Sequence, residues 1–477
     1  MTDATRTHVA VRGRVVGLVA LGIVVSSLSR AANAAGEMPV NTPTAACLAD
    51  GQVEDILLVD GIAYLAGRFT HVRPPGAASG GPEERPRQFF AACDAATGAV
   101  LDWDPHVTCD AGTFPSCASN PRGQTLALSA DRQSIYLGGK FRAVGGSARR
   151  HAARVSRASA ALDSSWLPEP NDRVQRIVVA PDGARVYVAG NFTQAGGCAP
   201  APCHAYLAAV DPTSGTAITA FDPTISSAGG GFATVYALAF SGDGATIYLG
   251  GQFDEVDGAT RSSAAAIDAA TGTVATAFAP ALADTNPSDP DVQIHDVIVD
   301  RDWVYLCGDW WLTDGLGDQQ NQRNVNRFTA ANGTVDPDFW IATDGGVQAC
   351  ALDLDLGVLF VGGHFDCVRA WVDSTTPLDP NPSPCGTDPL FVGTFQRDLF
   401  ALTIADGTLL PWNPDTGGVA GTWAMARGEG RLLVGGELTW PRTGTATHQS
   451  LLAFDVPLFA DDFERGDTAR WSATTPP

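Results

Sequence analysis

Polar and aromatic side chains recur at one position of seven similar apolar segments, and these residues could form a binding site. The position is occupied by Glu54, Gln124, Gln175, Tyr236, His295, Gln348 and Trp423. Charged residues follow one position later in three of the segments, at Asp55, Arg176 and Asp296. Carboxylates, amides and imidazoles form hydrogen bonds, and aromatic rings stack on flat ligand faces. These residue types predict a site for a sugar or another small polar ligand.

A second polar position follows a glycine motif that recurs with each segment, as in ATIYLGGQF (245–253) and SIYLGGKF (134–141). The residues at this position are Arg68, Lys140, Asn191, Gln252, Asp309, His364 and Glu437. All seven are polar, as expected for a ring that binds a ligand. Strand ends that only contact water are also polar, so both interpretations stay open.

The glycines themselves favour a structural role. Paired glycines at a strand end allow a bulge or a close backbone approach. The motif is not followed by a helix, so the phosphate site that a helix N-terminus provides is not expected.

The elements that must position these side chains are short strands. In the fourth repeat, we expect strands at 235–240, 246–253, 263–268 and 273–280, separated by turns such as Ser-Gly-Asp-Gly. Seven repeats of four antiparallel strands predict an all-β fold, a seven-bladed β-propeller. The last repeat lacks a fourth strand, and residues 38–47 are predicted to supply it, so that strands from both termini close the ring.

In such a propeller, the first strand of each blade lines the central channel. The variable second-to-third loops then lie on one face, and this loop face of the funnel is the expected ligand site.

The pattern of YLGG-x-F, a later arginine, hydrophobic-Asp-x-x-x-Gly and F-x-P resembles the delta-60-type repeat of secreted bacterial β-propeller proteins. It is also similar to kelch-like repeats, including those of the fungal cortical cell-polarity marker family. The resemblance covers about residues 50–456. It implies a propeller and assigns no activity, because a fold does not by itself define a function.

Both ends of the chain differ from the repeats. Residues 1–34 combine arginines, an apolar stretch and the small residues of Ala-Asn-Ala, which predicts a Sec signal peptide and an extracellular or periplasmic protein. The predicted propeller spans 35–457. The acidic tail 458–477 contains FADDFERGDTARWS, which resembles a terminal motif of secreted bacterial proteins.

The net charge of −22 argues against nucleic acid and anionic membrane surfaces as partners. No segment after the signal peptide is long and apolar enough for a membrane span, and we expect a monomer. Ten cysteines in an exported chain predict disulfides. The sequence proposes the pairs Cys109–Cys117, Cys198–Cys203 and Cys367–Cys385. It leaves the pairing of Cys47, Cys93, Cys307 and Cys350 open.

Two classes of function remain. The first is a non-catalytic extracellular protein that binds a glycan or a partner protein. The second is a carbohydrate-active enzyme, a glycosidase or lyase, that uses Glu54, Asp55 or Asp296 as acid or base. No catalytic residue, metal site or cofactor is assigned. Calcium is a secondary hypothesis for DTNPSDPDV (284–292), where carboxylate oxygens cluster.

Overall fold

The computed structural model describes residues 38–110, 117, 119–197, 204–227, 231–282, 292–312, 322–339, 341–373, 376–377, 394–443, 446 and 448–456. The predicted signal peptide, the tail 458–477, the Cys198–Cys203 pair and residues 284–291 of the calcium hypothesis lie outside these ranges.

Every named element of the described ranges is a β-strand, which confirms the all-β prediction. Seven of the sheets in these ranges consist of three antiparallel strands of four or more residues each, and we number them 1 to 7 along the chain. Sheets 1 to 4 consist of Val53–Val59, Ile62–Gly67 and Phe90–Asp94; Arg122–Leu128, Ser134–Lys140 and Ala152–Ser156; Val174–Val179, Val186–Gly190 and Leu207–Val210; and Thr234–Phe240, Thr246–Gln252 and Ala264–Asp268. Sheets 5 to 7 consist of Gln293–Asp300, Trp303–Leu312 and Gln322–Thr329; Val347–Asp353, Val358–Gly363 and Leu399–Thr403; and Gly417–Gly428, Arg431–Trp440 and His448–Asp455.

Beyond the third strand, sheets 1 to 6 continue only as far as a single antiparallel bridge. The bridges join Cys93 to Val100, Val155 to Leu162, Val210 to Ala217, Ile267 to Val274, Phe328 to Val335 and Leu402 to Leu409. Prolines such as Pro105 and Pro223 follow soon after the bridge. Because proline has no N–H to donate, it shortens the segments that the sequence predicts as fourth strands.

Sheet 7 has the corresponding bridge to the N-terminal segment. The Thr44 N–H donates to the Ala453 carbonyl at 2.7 Å, which pairs the two residues as antiparallel neighbours. The first strands contact one another in chain order from sheet 1 to sheet 7, and Gly417–Gly428 also contacts Val53–Val59.

Small sheets of loop strands flank sheets 1, 2, 4 and 6. In each of them, the segment before the first strand pairs with a hairpin that follows the second strand. Their strands are Leu48–Ala49, His71–Arg73 and Arg85–Pro86; Val107–Thr108, Ala143–Val144 and Ser147–Ala148; Ile225–Ser226, Glu255–Val256 and Ala259–Thr260; and Ile341–Thr343, Cys367–Asp373, Thr376–Pro377 and Thr394–Phe395. Strand pairing therefore joins the predicted second-to-third loops of these sheets to the segments that precede the first strands.

Apolar side chains between neighbouring sheets form the core. Five tyrosines at the same position of the second strands are buried: Tyr64, Tyr136, Tyr187, Tyr248 and Tyr305. The Tyr136 hydroxyl donates to the Pro212 carbonyl at 3.1 Å, and the Tyr248 hydroxyl donates to the Ala330 carbonyl at 3.1 Å. Each of these bonds joins one sheet to the next, so these tyrosines pack and cross-link the sheets.

The repeated glycine is required by a close backbone approach. A Cβ on Gly308 would lie 2.0 Å from the Gln293 carbonyl oxygen, and a Cβ on Gly251 would lie 2.2 Å from the Thr234 carbonyl oxygen. The same contact, at 2.1 to 2.3 Å, occurs at Gly67, Gly139, Gly190, Gly363 and Gly436. Any side chain would displace the first strand, so the motif is a packing feature.

The predicted disulfide Cys109–Cys117 is confirmed. The cysteines that the sequence left open pair as Cys47–Cys93 and Cys307–Cys350. Cys367 is disulfide-bonded, and its predicted partner Cys385 lies outside the described residues. Cys307–Cys350 covalently joins the second strand of sheet 5 to the first strand of sheet 6.

Candidate functional site

Each residue of the first predicted set occupies a β-bulge. Pairing between first and second strands skips one residue, for example between Val53 and Asp55 and between Ile294 and Asp296. The seven skipped residues are Glu54, Gln124, Gln175, Tyr236, His295, Gln348 and Trp423. A bulge re-aims a side chain out of the regular alternation of a strand. All seven positions therefore have the same bulged backbone, although their side chains differ.

The bulge residue contacts the residue after the glycine in several sheets. The Gln348 amide lies 2.7 Å from Nδ1 of His364, and the Gln175 amide lies 2.9 Å from Asn191 Oδ1. The Tyr236 hydroxyl lies 3.4 Å from Gln252 Oε1. The two predicted sets are thus neighbours and form one composite surface in these sheets.

Glu54 is the centre of a buried ion cluster. Its carboxylate is fully buried and contacts the Arg68 Nε and, at 2.9 Å, the Arg122 Nη1. The Arg122 side chain is only 4% exposed. Burial lowers the pKa of Arg122 to about 10, an effect that Glu54 opposes and that the charges of Arg68 and Arg173 reinforce. Arg122 therefore stays charged at neutral pH, and its ion pair holds the Glu54 carboxylate.

Arg176 lies between two aspartates from other sheets. Its Nη1 lies 4.0 Å from Asp55 Oδ1 and its Nη2 lies 3.8 Å from Asp296 Oδ1. Each aspartate also accepts a hydrogen bond from a backbone N–H group of the next sheet along the chain. Asp55 Oδ2 accepts from the Leu126 N–H at 2.7 Å, and Asp296 Oδ2 accepts from the Cys350 N–H at 3.1 Å. Burial raises the pKa of Asp296, and the charge of Arg176 offsets only part of that effect.

Three aromatic rings from different sheets meet at His295. The ring centroids of Tyr236 and Trp423 lie 5.3 Å and 6.4 Å from the His295 centroid. Burial, reinforced by the charge of His364, lowers the pKa of His295 to about 4. The imidazole is therefore neutral at pH 7, and the cluster presents aromatic surface without added charge. The Trp423 Nε1 donates to the Ala420 carbonyl at 2.8 Å, which fixes the indole.

The nine predicted site residues therefore fall into a few groups. Glu54 belongs to an ion cluster, Asp55, Arg176 and Asp296 to a second one, and Tyr236, His295 and Trp423 to the aromatic cluster. Gln175 and Gln348 pair with the neighbouring polar position.

Sequence reasoning missed Arg122 and Arg173. Each lies two residues before a bulge residue, at a position that the repeat alignment left out. Arg122 is directly opposite Lys140 in the strand ladder. The Arg173 carbonyl accepts from the Asn191 N–H at 3.0 Å, which is the equivalent place in sheet 3. A third set of aligned residues, two positions before the bulge, would have found them.

The described ranges contain no group of three or more His, Cys, Asp or Glu residues arranged to hold a metal ion. Nor do those ranges include a helix with the length and apolar character to cross a membrane.

No protein-family model and no curated protein sequence matches the chain. Among solved structures, the chain is similar to the WD40 β-propeller domain of Doa1, with 11% identity and a TM-score of 0.41 over 87% of this chain and 96% of that one. It is also similar to the computationally designed protein Ika8, with 9% identity and a TM-score of 0.40 over 86% of this chain and 98% of that one.

Proposed function

We propose that this protein is an extracellular, non-catalytic binding protein whose ligand, a glycan or a partner protein, lies in a central funnel on its loop face. Its sheets 1 to 7 are the blades of a seven-bladed β-propeller of the delta-60 or kelch-like type. The N-terminal segment at Thr44 supplies the fourth strand of the last blade.

Contacts among the first strands support this architecture. These strands follow one another in contact from sheet 1 to sheet 7, and the first strand of sheet 7 contacts that of sheet 1. Thr44 occupies the place beside sheet 7 that the single bridges occupy in the other sheets. Disulfides such as Cys47–Cys93 are typical of exported proteins, which agrees with export by the proposed signal peptide 1–34. The tail 458–477 would follow the propeller as a separate extension.

The convergence of side chains from sheets that are not neighbours in the chain carries the binding proposal. Arg176 of sheet 3 lies within 4.0 Å of Asp55 in sheet 1 and of Asp296 in sheet 5. His295 of sheet 5 packs near Trp423 of sheet 7. Polar groups that converge beside aromatic surface are the usual composition of a ligand site.

The carboxylates of Glu54 and Asp55 already have ion-pair and hydrogen-bond partners in the protein, which favours binding over catalysis. Glu54 is paired with two arginines, and Asp55 accepts from backbone N–H groups besides lying near Arg176. A general acid or base must be free to exchange a proton with a substrate.

A carbohydrate-active enzyme is the alternative function. The raised pKa of Asp296 is the property that favours it, because a raised pKa makes a carboxyl a better general acid near neutral pH. In that case Asp55, on the other side of Arg176, would be the second carboxylate.

A glycan array and a reducing-sugar release assay on the same protein test the proposal. We expect binding that Trp423→Ala abolishes, without sugar release. Leu354→Ala is the control, because Leu354 is 53% exposed and lies in the turn between the first and second strands of sheet 6. Sugar release that Asp296→Asn abolishes would instead establish the enzyme.

A further inference from the structure

We propose that the ligand of the funnel is an anionic glycan, with its carboxylate groups against the arginine and lysine side chains of sheets 1 to 3 and a sugar face on the aromatic cluster. This inference rests on the proposed function and adds the charge and the orientation of the ligand.

Four cationic side chains of sheets 1 to 3 lie near one another: Arg68, Arg122, Lys140 and Arg173. Arg68 and Arg122 share the Glu54 carboxylate, and Arg122 faces Lys140 across the ladder. Arg173 lies in the next sheet at the position equivalent to Arg122, and its Nε donates to Asn191 Oδ1 at 3.2 Å. These cations come from sheets 1, 2 and 3, so the fold brings them together and the sequence does not.

The carboxylates beside these cations do not balance them. Within the described part of the chain, Glu54 is the one carboxylate that forms ion pairs inside this cluster. Asp172, which is exposed, accepts from the Arg173 backbone N–H at 2.7 Å through its Oδ1. A chain with a net charge of −22 thus concentrates positive charge at one place. Like charges at close range repel, and an anion bound there would relieve that repulsion.

The four cations differ in exposure, and only the more exposed ones can contact a ligand. The Arg68 side chain is 36% exposed, whereas Arg122 is buried behind it at 4%. Lys140 and Arg173 are half-buried. Arg68, Lys140 and Arg173 can therefore contact a ligand, while Arg122 holds Glu54 and adds its charge.

The other side of the funnel has a different character. After the glycine, sheets 5 and 6, which lie opposite sheets 1 to 3 in the proposed ring, carry Asp309 and His364, both exposed. The Asp309 carboxylate on that side would repel an anion and turn it toward sheets 1 to 3. The rings of Tyr236, His295 and Trp423, whose neighbouring planes are inclined by 33° and 60°, offer aromatic faces against which a sugar can pack. A uronic acid combines a carboxylate with an apolar sugar face, so it matches both sides at once.

Nucleic acid also combines anions with flat rings. It fits less well, because its high charge density meets a protein that is strongly acidic outside this cluster.

Calorimetric titration of the full secreted chain with paired oligosaccharides tests the inference. The probes are hexamers of galacturonate, mannuronate and glucuronate, each beside its methyl ester, which keeps the sugar and removes the charge. We expect at least one acid hexamer to bind, and its ester to bind about tenfold more weakly or worse. Affinity for the acid should fall as sodium chloride is raised, and affinity for the ester should not.

Substitutions then test which of the cationic side chains contact the ligand. Lys140→Gln and Arg173→Gln should each weaken binding of the acid hexamer about tenfold and leave binding of the ester unchanged. Arg132→Gln is the matched control, because Arg132 is exposed and paired with Asp60 in the turns between first and second strands. Arg68→Gln and Arg122→Gln are avoided, since each would leave the buried Glu54 carboxylate with one paired arginine fewer. Thermal unfolding of each variant verifies that it is folded.

The outcomes separate the two proposals. Equal affinity for an acid hexamer and its ester, or a neutral glycan bound more tightly than every uronate, would overturn the anionic ligand and leave glycan binding intact. Failure to bind any glycan on the array would overturn glycan binding itself, and this inference with it.

Discussion

Arg176 lies 3.8 Å from Asp296, although 119 intervening residues separate the two along the chain and they belong to sheets 3 and 5. The same guanidinium lies 4.0 Å from Asp55 in sheet 1. One side chain thus links three sheets that share no hydrogen-bonded strands.

Removal of this guanidinium should destabilise the fold. In Arg176→Gln, Asp55 and Asp296 lose the charge that offsets their burial. Because the Arg176 side chain is 29% exposed, we expect only about 1–2 kcal/mol lower free energy of unfolding. Urea unfolding measures it. The exposed pair of Arg132 and Asp60 provides the comparison, and Arg132→Gln should change the free energy by less than about 0.5 kcal/mol. Equal losses in the two variants would contradict the link.

Asp398 should make the stability depend on pH. Burial raises its pKa to about 7, against hydrogen bonding from Thr416 and the charge of Arg397. The native state then holds a proton that the unfolded state releases above about pH 4. Stability from this group is therefore present at low pH and is lost as pH rises toward 7, with a limiting slope of about 1.4 kcal/mol per pH unit.

The variant Asp398→Asn should remove this slope. An asparagine side chain would suit the positive φ of 59° at this position and keep the contact with the Thr416 hydroxyl. The measurement is the difference in unfolding free energy between the two proteins from pH 4 to pH 8. Asp182→Asn, in the exposed turn between the first and second strands of sheet 3, is the control. A difference that does not vary with pH would refute the raised pKa.

The disulfides should differ in their contribution to stability. Cys307–Cys350 closes 43 residues and Cys109–Cys117 closes 8. In the chain-entropy model, the longer loop contributes about 4 kcal/mol and the shorter one about 2.5 kcal/mol. Replacement of each pair by alanine, followed by chemical unfolding, should therefore cost more at Cys307–Cys350. The reverse order would point to effects on the native state.

The repeated glycine should tolerate no side chain. In Gly308→Ala, the new Cβ would lie 2.0 Å from the Gln293 carbonyl oxygen, so the first strand of sheet 5 would have to shift. We expect a loss of about 3 kcal/mol or more, or no folded protein. Gly242→Ala is the control, because nothing lies within 4 Å of its Cβ position. Similar melting temperatures for the two variants would contradict the packing role.

Local sequence was sufficient to predict the first three strands of each repeat and to align the residues that lie at the bulges. The bulge residues were found because each lies at nearly the same distance before a repeated glycine, as Glu54 does before Gly67 and Gln348 before Gly363. The disulfide Cys109–Cys117 followed from its short loop, whereas Cys307–Cys350 joins two sheets and no local pattern indicates it.

The sequence by itself determined the repeat, because a strand that contacts a neighbouring backbone at a bulge requires glycine in every copy. It also determined which positions are polar. Only the tertiary structure decided which of those side chains meet: Arg176 with Asp55 and Asp296, His295 with Tyr236 and Trp423, and Arg122 with Glu54. The physical reason is that these contacts cross from sheet to sheet. Their distances depend on how the sheets are arranged around one another, which no single segment of the chain specifies.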